Sequence, residues 1–239
     1  MRWLLLLIAM FAAKVPAQGR PLRVVVDPGH GGESTGALGA YGVYEKTVTL
    51  AIASRLGRLL EAESGIVTFY TRRDDVSVSL RDRAELANAV EADVFISIHC
   101  NASTSPDPSG VETFYLGKGG ADPEADAVAA VENMGADEAT TLAVILSDLR
   151  KTGAQAGSAA FAEAVQRHLE SALPETQSRH VRQARFAVLR WTTMPAIVVE
   201  VGFLTHPEEG LNLLLPHYQE RIAMALRDAI LEYARSWRW

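Results

Sequence analysis

Three apolar runs constrain this chain more than any other feature: Val24-Val25-Val26, Val94-Phe95-Ile96-Ser97-Ile98 and Pro195-Ala196-Ile197-Val198-Val199. Each is short and nearly continuous in apolar side chains, the pattern of a strand covered on both faces. Each also runs straight into polar residues. The first leads to Asp27-Pro28-Gly29-His30, the second to His99, and the third to Glu200-Val201-Gly202-Phe203. Segments of helical period lie between them. Val48, Ala51, Ile52, Leu56, Leu59 and Leu60 share one face of a helix expected from about Glu45 to Glu63, and Leu80, Ala84, Ala87 and Val90 share one face of a helix over 80–90. Strands alternating with helices give an α/β fold. The expectation is three layers, α/β/α, with a twisted, mostly parallel sheet flanked by helices on both sides.

In such a sheet, residues at the carboxyl ends of the strands gather in one crevice, where ligands bind. His30, His99 and nearby carboxylates would meet there, a set suited to a catalytic zinc ion. Glu200 is the most telling residue, because a lone carboxylate among so much apolar surface is costly to bury unless paired, metal-bound or protonated. Such a cost commonly marks a reactive site. Two acids compete for the third ligand position. Glu33 is nearer to His30, whereas Glu45 opens a helix, where the dipole favours a carboxylate in any case. The loop from Gly29 to Gly42 lacks both the Lys-Ser/Thr pair of a P-loop and the three-glycine dinucleotide pattern. His168, His180, His206 and His217 read as surface or capping residues, with His206-Pro207 as a helix start.

The 239 residues suffice for one sizeable domain, and a net charge of −6 argues against nucleic acid as the main partner. At the start, Arg2 precedes an apolar run from Trp3 to Ala13 and then Val15-Pro16-Ala17. This is the layout of a secretory signal peptide over residues 1–17, and the run is short for a membrane span. Export to the periplasm or the cell wall is therefore expected. Cys100 is the sole cysteine, so no internal disulfide can form. Strand alternation turns it away from His99, as a small buried hydrophobe rather than a nucleophile.

Further elements are expected as follows. Strands are read at 66–70, at 92–98, at 111–116 near the sheet edge, at 186–189 and at 195–199. Helices are read at 123–133, 141–150, 159–173, 207–214 and 218–237.

Four segments carry the chemistry: Asp27-Pro28-Gly29-His30-Gly31-Gly32, Tyr44-Glu45-Lys46, Ser97-Ile98-His99-Cys100-Asn101-Ala102 and Val199-Glu200-Val201-Gly202-Phe203. In identity and order they resemble the zinc-dependent N-acetylmuramoyl-L-alanine amidases of bacterial cell walls, amidase type 3. The likeness spans a catalytic domain over 22–235 and extends to Ser79-Leu80-Arg81-Asp82-Arg83-Ala84-Glu85-Leu86-Ala87-Asn88 and Leu204-Thr205-His206-Pro207-Glu208-Glu209. The resemblance implies Zn2+ held by His30, Glu45 and His99, with Glu200 as the general base. It further implies peptidoglycan as substrate, for cell separation, wall turnover or recycling, and an activator protein as a further partner. Asn101 and Arg81 are expected to steady the site or orient substrate, and a monomer is expected.

In many division amidases of this family, a long insertion carries a helix that covers the zinc and supplies a blocking acid, which a partner displaces. Here only Met134 to Thr140 separates Asn133 from the helix expected near Thr141, so weaker autoinhibition is expected, with Pro123 to Asn133 as the other candidate control element. The rival readings are another zinc amide hydrolase of the wall, a carboxypeptidase or deacetylase, and a catalytically silent wall-binding regulator.

Overall fold

The computed structural model describes residues 20–117, 122–136 and 154–236. The expected signal peptide, the expected helix at 141–150, Glu138 and the tail residues Trp237 and Trp239 lie outside them. The strands are β1 (Leu22–Pro28), β2 (Ile66–Tyr70), β3 (Val94–Asn101), β4 (Val111–Leu116), β5 (Ser178–Ala184) and β6 (Ala196–Phe203). The described helices are α1 (Glu45–Glu61), α2 (Leu80–Ala89), α3 (Pro123–Glu132), α4 (Ala154–Ala172), α5 (Ala187–Arg190), α6 (Pro207–Leu214) and α7 (Pro216–Ser236).

The strands form one sheet in the order β2-β1-β3-β6-β4-β5. β2, β1, β3 and β6 are mutually parallel, and β4 runs antiparallel to β6 with β5 parallel to β4. Strand periodicity divides the core in two. Val24, Val26, Ile96, Ile98, Ile197 and Val199 pack with Ile52 and Leu56 of α1, Phe161 of α4 and Tyr233 of α7. Val25, Phe95, Phe114 and Val198 point the other way, against Ala87 of α2, Ala125 and Ala129 of α3 and Val188 of α5. Continuing that alternation places Asp27, Ser97, His99, Glu112 and Glu200 on the second face, towards α2, α3 and α5. The chain leaves β1 through α1 to β2 on one side and returns through α2 to β3 on the other. The carboxyl ends of β1 and β3 thus flank a point where the winding reverses, where α/β sheets bind ligands.

Three elements differ from the sequence reading. Ser178–Ala184 is a strand that polar composition concealed; it forms the sheet edge, so β4 is internal rather than marginal. Residues 187–189, expected within a strand at 186–189, lie instead in one helical turn, Ala187–Arg190, with Ala187, Val188 and Leu189 all buried. A four-residue apolar run carries no period to separate the two states. Finally, α4 already includes Ala154, ahead of the expected start at residue 159. None of the described helices is long and apolar enough to cross a membrane.

Candidate metal centre

His30 follows β1 in a loop that turns sharply: its own φ is 58° and that of Gly31 is 125°. Two buried arginines hold this loop by its carbonyls. Arg83 Nη1 donates to Pro28 O at 2.7 Å and Arg83 Nη2 to His30 O at 2.7 Å. Arg72 donates to Pro28 O at 3.0 Å and Gly29 O at 2.7 Å. Arg83 also pairs with Asp27 at 2.6 Å, and Ser97 donates to the other Asp27 oxygen at 2.6 Å. Burial opposes ionisation of Asp27, but Arg83 and the two hydroxyls of Ser97 and Thr71 outweigh it and hold the carboxyl below its ordinary value. The loop is packed as well as bonded. A Cβ on Gly29 would stand 2.5 Å from the His99 ring, and one on Gly36 would stand 2.5 Å from Glu45 Oε2.

Glu45, the first residue of α1, is 1% exposed. Its two oxygens are fixed by backbone donors, Ala37 N–H to Oε2 and Cys100 N–H to Oε1, each at 3.0 Å. Around it, His30 Nε2 lies 3.1 Å from Oε2 and His99 Nδ1 lies 3.1 Å from Oε1. A fourth group completes the set. Glu132, the last residue of α3, brings Oε2 to 3.2 Å from His30 Nε2 and 2.9 Å from His99 Nδ1. One ligand atom from each of these four residues falls within 4.8 Å of the others.

The donor set fits zinc. Donors 2.0–2.2 Å from a tetrahedral ion stand roughly 3.3–3.6 Å apart; the contacts here are 2.9–3.2 Å, and the four ligand atoms lie within 4.8 Å of one another, a set that a bound ion would space evenly. His30 Nε2 and Glu132 Oε2 are both buried, and neither makes a well-aligned hydrogen bond. Electrostatics agree. Burial disfavours the imidazolium of both histidines, but Glu132 and Glu45 override it and raise both pKa values. Burial likewise opposes ionisation of Glu45 and Glu132, and the histidines override it. Without a metal, the imidazolium protons balance the two carboxylates, and a dication would take the place of those protons.

Glu200 sits opposite His99 in the β3–β6 register. It is 1% exposed, and both carboxylate oxygens are buried without a hydrogen-bond partner. Burial, reinforced by Glu132 and Glu45, pushes its pKa well above the usual carboxylate range, with His99 opposing. Beside the cluster opens a cleft of about 1040 Å³, with His30, Glu45, His99, Asn101, Glu124, Glu132, Arg179 and Phe203 among its lining residues. Glu200 is not among the residues lining this cleft.

The model of the N-acetylmuramoyl-L-alanine amidase family matches residues 24–232. The chain belongs to that family. It is 35% identical over 222 residues to the amidase AmiC of Escherichia coli O6:H1, covering 90% of this chain and 53% of that one. It is 33% identical over 231 residues to AmiA of Escherichia coli K12, covering 92% and 78%. Among solved structures, an N-acetylmuramoyl-L-alanine amidase from Clostridium difficile 630 superposes with a TM-score of 0.73 at 32% identity, covering 91% of this chain and 99% of that one. The chain thus spans about half the length of the AmiC relative and most of the AmiA relative.

Within this amidase fold, His30, Glu45 and His99 converge from three separate segments, Glu200 stands opposite His99 across the β3–β6 pair, and the rival acid Glu33 is exposed outside the cluster. Asn101 lies at the cleft and donates to buried Glu112 at 2.5 Å. Arg81 is not at the site. It is half-exposed, pairs with Glu85 at 2.7 Å and lies over the Trp191 ring. The residue that steadies the loop is Arg83, on the buried face of the same helix. The sequence reading also missed Arg72 and Glu132. Cys100 is buried in the core on the far side of β3, and burial raises its thiol pKa well above the ordinary value. His206 caps α6, accepting from Glu208 and Glu209 N–H.

Proposed function

We propose that this chain hydrolyses the amide between the lactyl group of N-acetylmuramic acid and the L-alanine of peptidoglycan stem peptides, with Zn2+ held by His30, Glu45 and His99. The observation that carries the reading is the convergence of those three donors beside a buried carboxyl, Glu200, that has no hydrogen-bond partner. When bound there, zinc would polarise an amide carbonyl and lower the pKa of a water to about 7.

The protein's own groups supply the rest. Glu45 is pinned by two backbone N–H groups and so presents a fixed donor. His30 Nδ1 lies 3.0 Å from Ser34 Oγ, which orients the ring and leaves Nε2 for the cluster. Glu200 takes a proton from water and returns it to the leaving amine. Its raised pKa suits it to hold that proton between the two transfers. The dication's charge would bring it back towards the ionised form that the first transfer needs.

Glu132 occupies the remaining position, where water and substrate have to enter. In this reading α3 is the blocking element, and the short stretch after Asn133 is no obstacle because the acid lies before it. The domain is exported and works in the periplasm or at the cell wall, in separation, turnover or recycling.

The test is digestion of purified peptidoglycan by the intact chain, with zinc content measured in parallel. Intact stem peptides freed from glycan are expected; release of single amino acids or acetate would instead select a carboxypeptidase or deacetylase. Glu200→Gln is expected to cut turnover by about 10²–10⁴-fold while retaining zinc. Loss of zinc in that variant would recast Glu200 as a ligand. Glu132→Gln is expected to raise turnover by at least about fivefold, the lower end of an ordinary coupling between two states. An unchanged or lower rate would remove Glu132 from the blocking role.

A further inference from the structure

β5 carries two arginines that the zinc chemistry does not use. Arg182 donates to Glu112 Oε2 at 2.9 Å, to Asp122 at 2.5 Å and 2.7 Å, and to Glu124 at 3.1 Å. Arg179 pairs with Glu124, approaches Glu112 at 3.4 Å and lies 5.1 Å from the centre of the Phe203 ring. Arg179, Glu124 and Phe203 line the same cleft as His99 and Asn101. The pairing acids divide by position. Glu112 is fully buried on β4, directly opposite Glu200, and belongs to the sheet. Asp122 and Glu124 belong to the start of α3, the helix whose other end places Glu132 on the histidines.

The net charge of this group changes sign with α3. With the helix in place, two guanidiniums face three carboxylates. With Asp122 and Glu124 withdrawn, the same two face Glu112 alone, leaving one positive charge on the cleft wall beside the reacting groups. We infer that Arg179 and Arg182 form a recognition position for a carboxylate of the substrate peptide, which Asp122 and Glu124 fill in this structure. The inference rests on the amidase reading for the identity of the peptide. α3 then imitates the substrate at both ends, with an acid at the metal cluster and acids at the arginine pair. Glu124 and Glu132 are eight residues apart, about 12 Å along a helix axis, which an extended peptide covers in three to four residues. The position therefore reads a carboxylate several residues down the stem peptide, away from the scissile amide. Guanidinium forks favour carboxylates through paired, charge-assisted hydrogen bonds.

The experiment is calorimetric binding of a muramoyl tripeptide, with its peptide carboxylates either free or converted to carboxamides, to the full zinc-loaded chain carrying Glu200→Gln and Glu132→Gln. These changes stop turnover and clear the histidines. Amidation is expected to weaken binding about tenfold, the loss of a charge-assisted contact. Adding Arg179→Gln should abolish that difference, and Arg179→Lys should restore part of it. Arg179 is the better probe, since it lines the cleft and stands farther from buried Glu112 than Arg182 does. Adding Asp122→Asn and Glu124→Gln should tighten binding of the free carboxylate form several-fold. Equal affinity for both ligand forms, or an amidation effect that survives Arg179→Gln, overturns the inference. Hydrolysis by the chain carrying Glu132→Gln alone, whose site is not blocked, decides the amidase reading separately. Turnover without carboxylate discrimination sinks only the arginine position, and discrimination without turnover sinks only the amidase.

Discussion

Arg83 and Arg81 lie two residues apart on α2 and have opposite surroundings. Arg83 is buried against Asp27 and the loop carbonyls, whereas Arg81 pairs at the surface with Glu85. Arg83→Ala would leave the Asp27 carboxylate buried and uncompensated, and is expected to cost about 3–5 kcal/mol in urea unfolding. Arg81→Ala is expected to stay within about 1 kcal/mol. A cost for Arg81 equal to that of Arg83 would contradict this placement. Gly29→Ala drives a Cβ into the His99 ring. Zinc retention against a chelator should fall roughly 10–100-fold, as when a group supporting a ligand is lost. The residues legible in the sequence were those standing out from an apolar background. His30, His99 and Glu200 each follow or interrupt a strand run, which is why they could be singled out. Arg83 and Arg81 share a polar helix, and only the packing of that helix separates them. Glu132 closes an alanine-rich segment with other acids in it, and nothing local marks it as the one that reaches the histidines.

Among the elements, α3 is held differently from the rest. It buries only Ala125 and Ala129, whereas α1 buries Val48, Ile52, Leu56 and Leu60, and α7 buries Tyr218, Ile222, Leu226, Ile230 and Tyr233. A buried methyl contributes about 0.8 kcal/mol, so apolar burial holds α3 weakly, and its ion pairs and the two hydrogen bonds of Asn133 with Arg185 O and Ala187 N–H carry much of its attachment. Hydrogen exchange should show the α3 amides opening well before those of α1 and α7, and earlier still in Asp122→Asn. Equal protection in all three helices would count against an element able to leave the site. The strands legible in the sequence were the apolar ones. β5 was not, because an edge strand bearing Arg179, Arg182 and Gln183 has one side free of the core and shows no apolar alternation.

For the whole molecule, the acid limit of stability follows from Asp27. Its folded pKa is depressed, so its contribution is complete above the ordinary value of 3.8 and is lost as pH falls through the lower folded value. The urea midpoint is expected to drop between about pH 4 and pH 2, and to drop less in Asp27→Asn. Buried Glu200 and Glu112 have raised pKa values and act in the opposite sense, favouring the fold as they take up protons. The layered fold was legible because it depends on alternation summed over many residues; the closure of its cleft depends on one side chain of α3. That side chain belongs to the same molecule as the site it covers, so dilution does not release it. The substrate competes with a tethered rival whose effective concentration the fold sets, and its apparent affinity falls in proportion to the fraction of molecules that are open. Were one molecule in a hundred open, the apparent Kd would stand about a hundredfold above the intrinsic one. A change in the attachment of α3 would then adjust the enzyme's working range of substrate without touching a residue proposed to hold zinc.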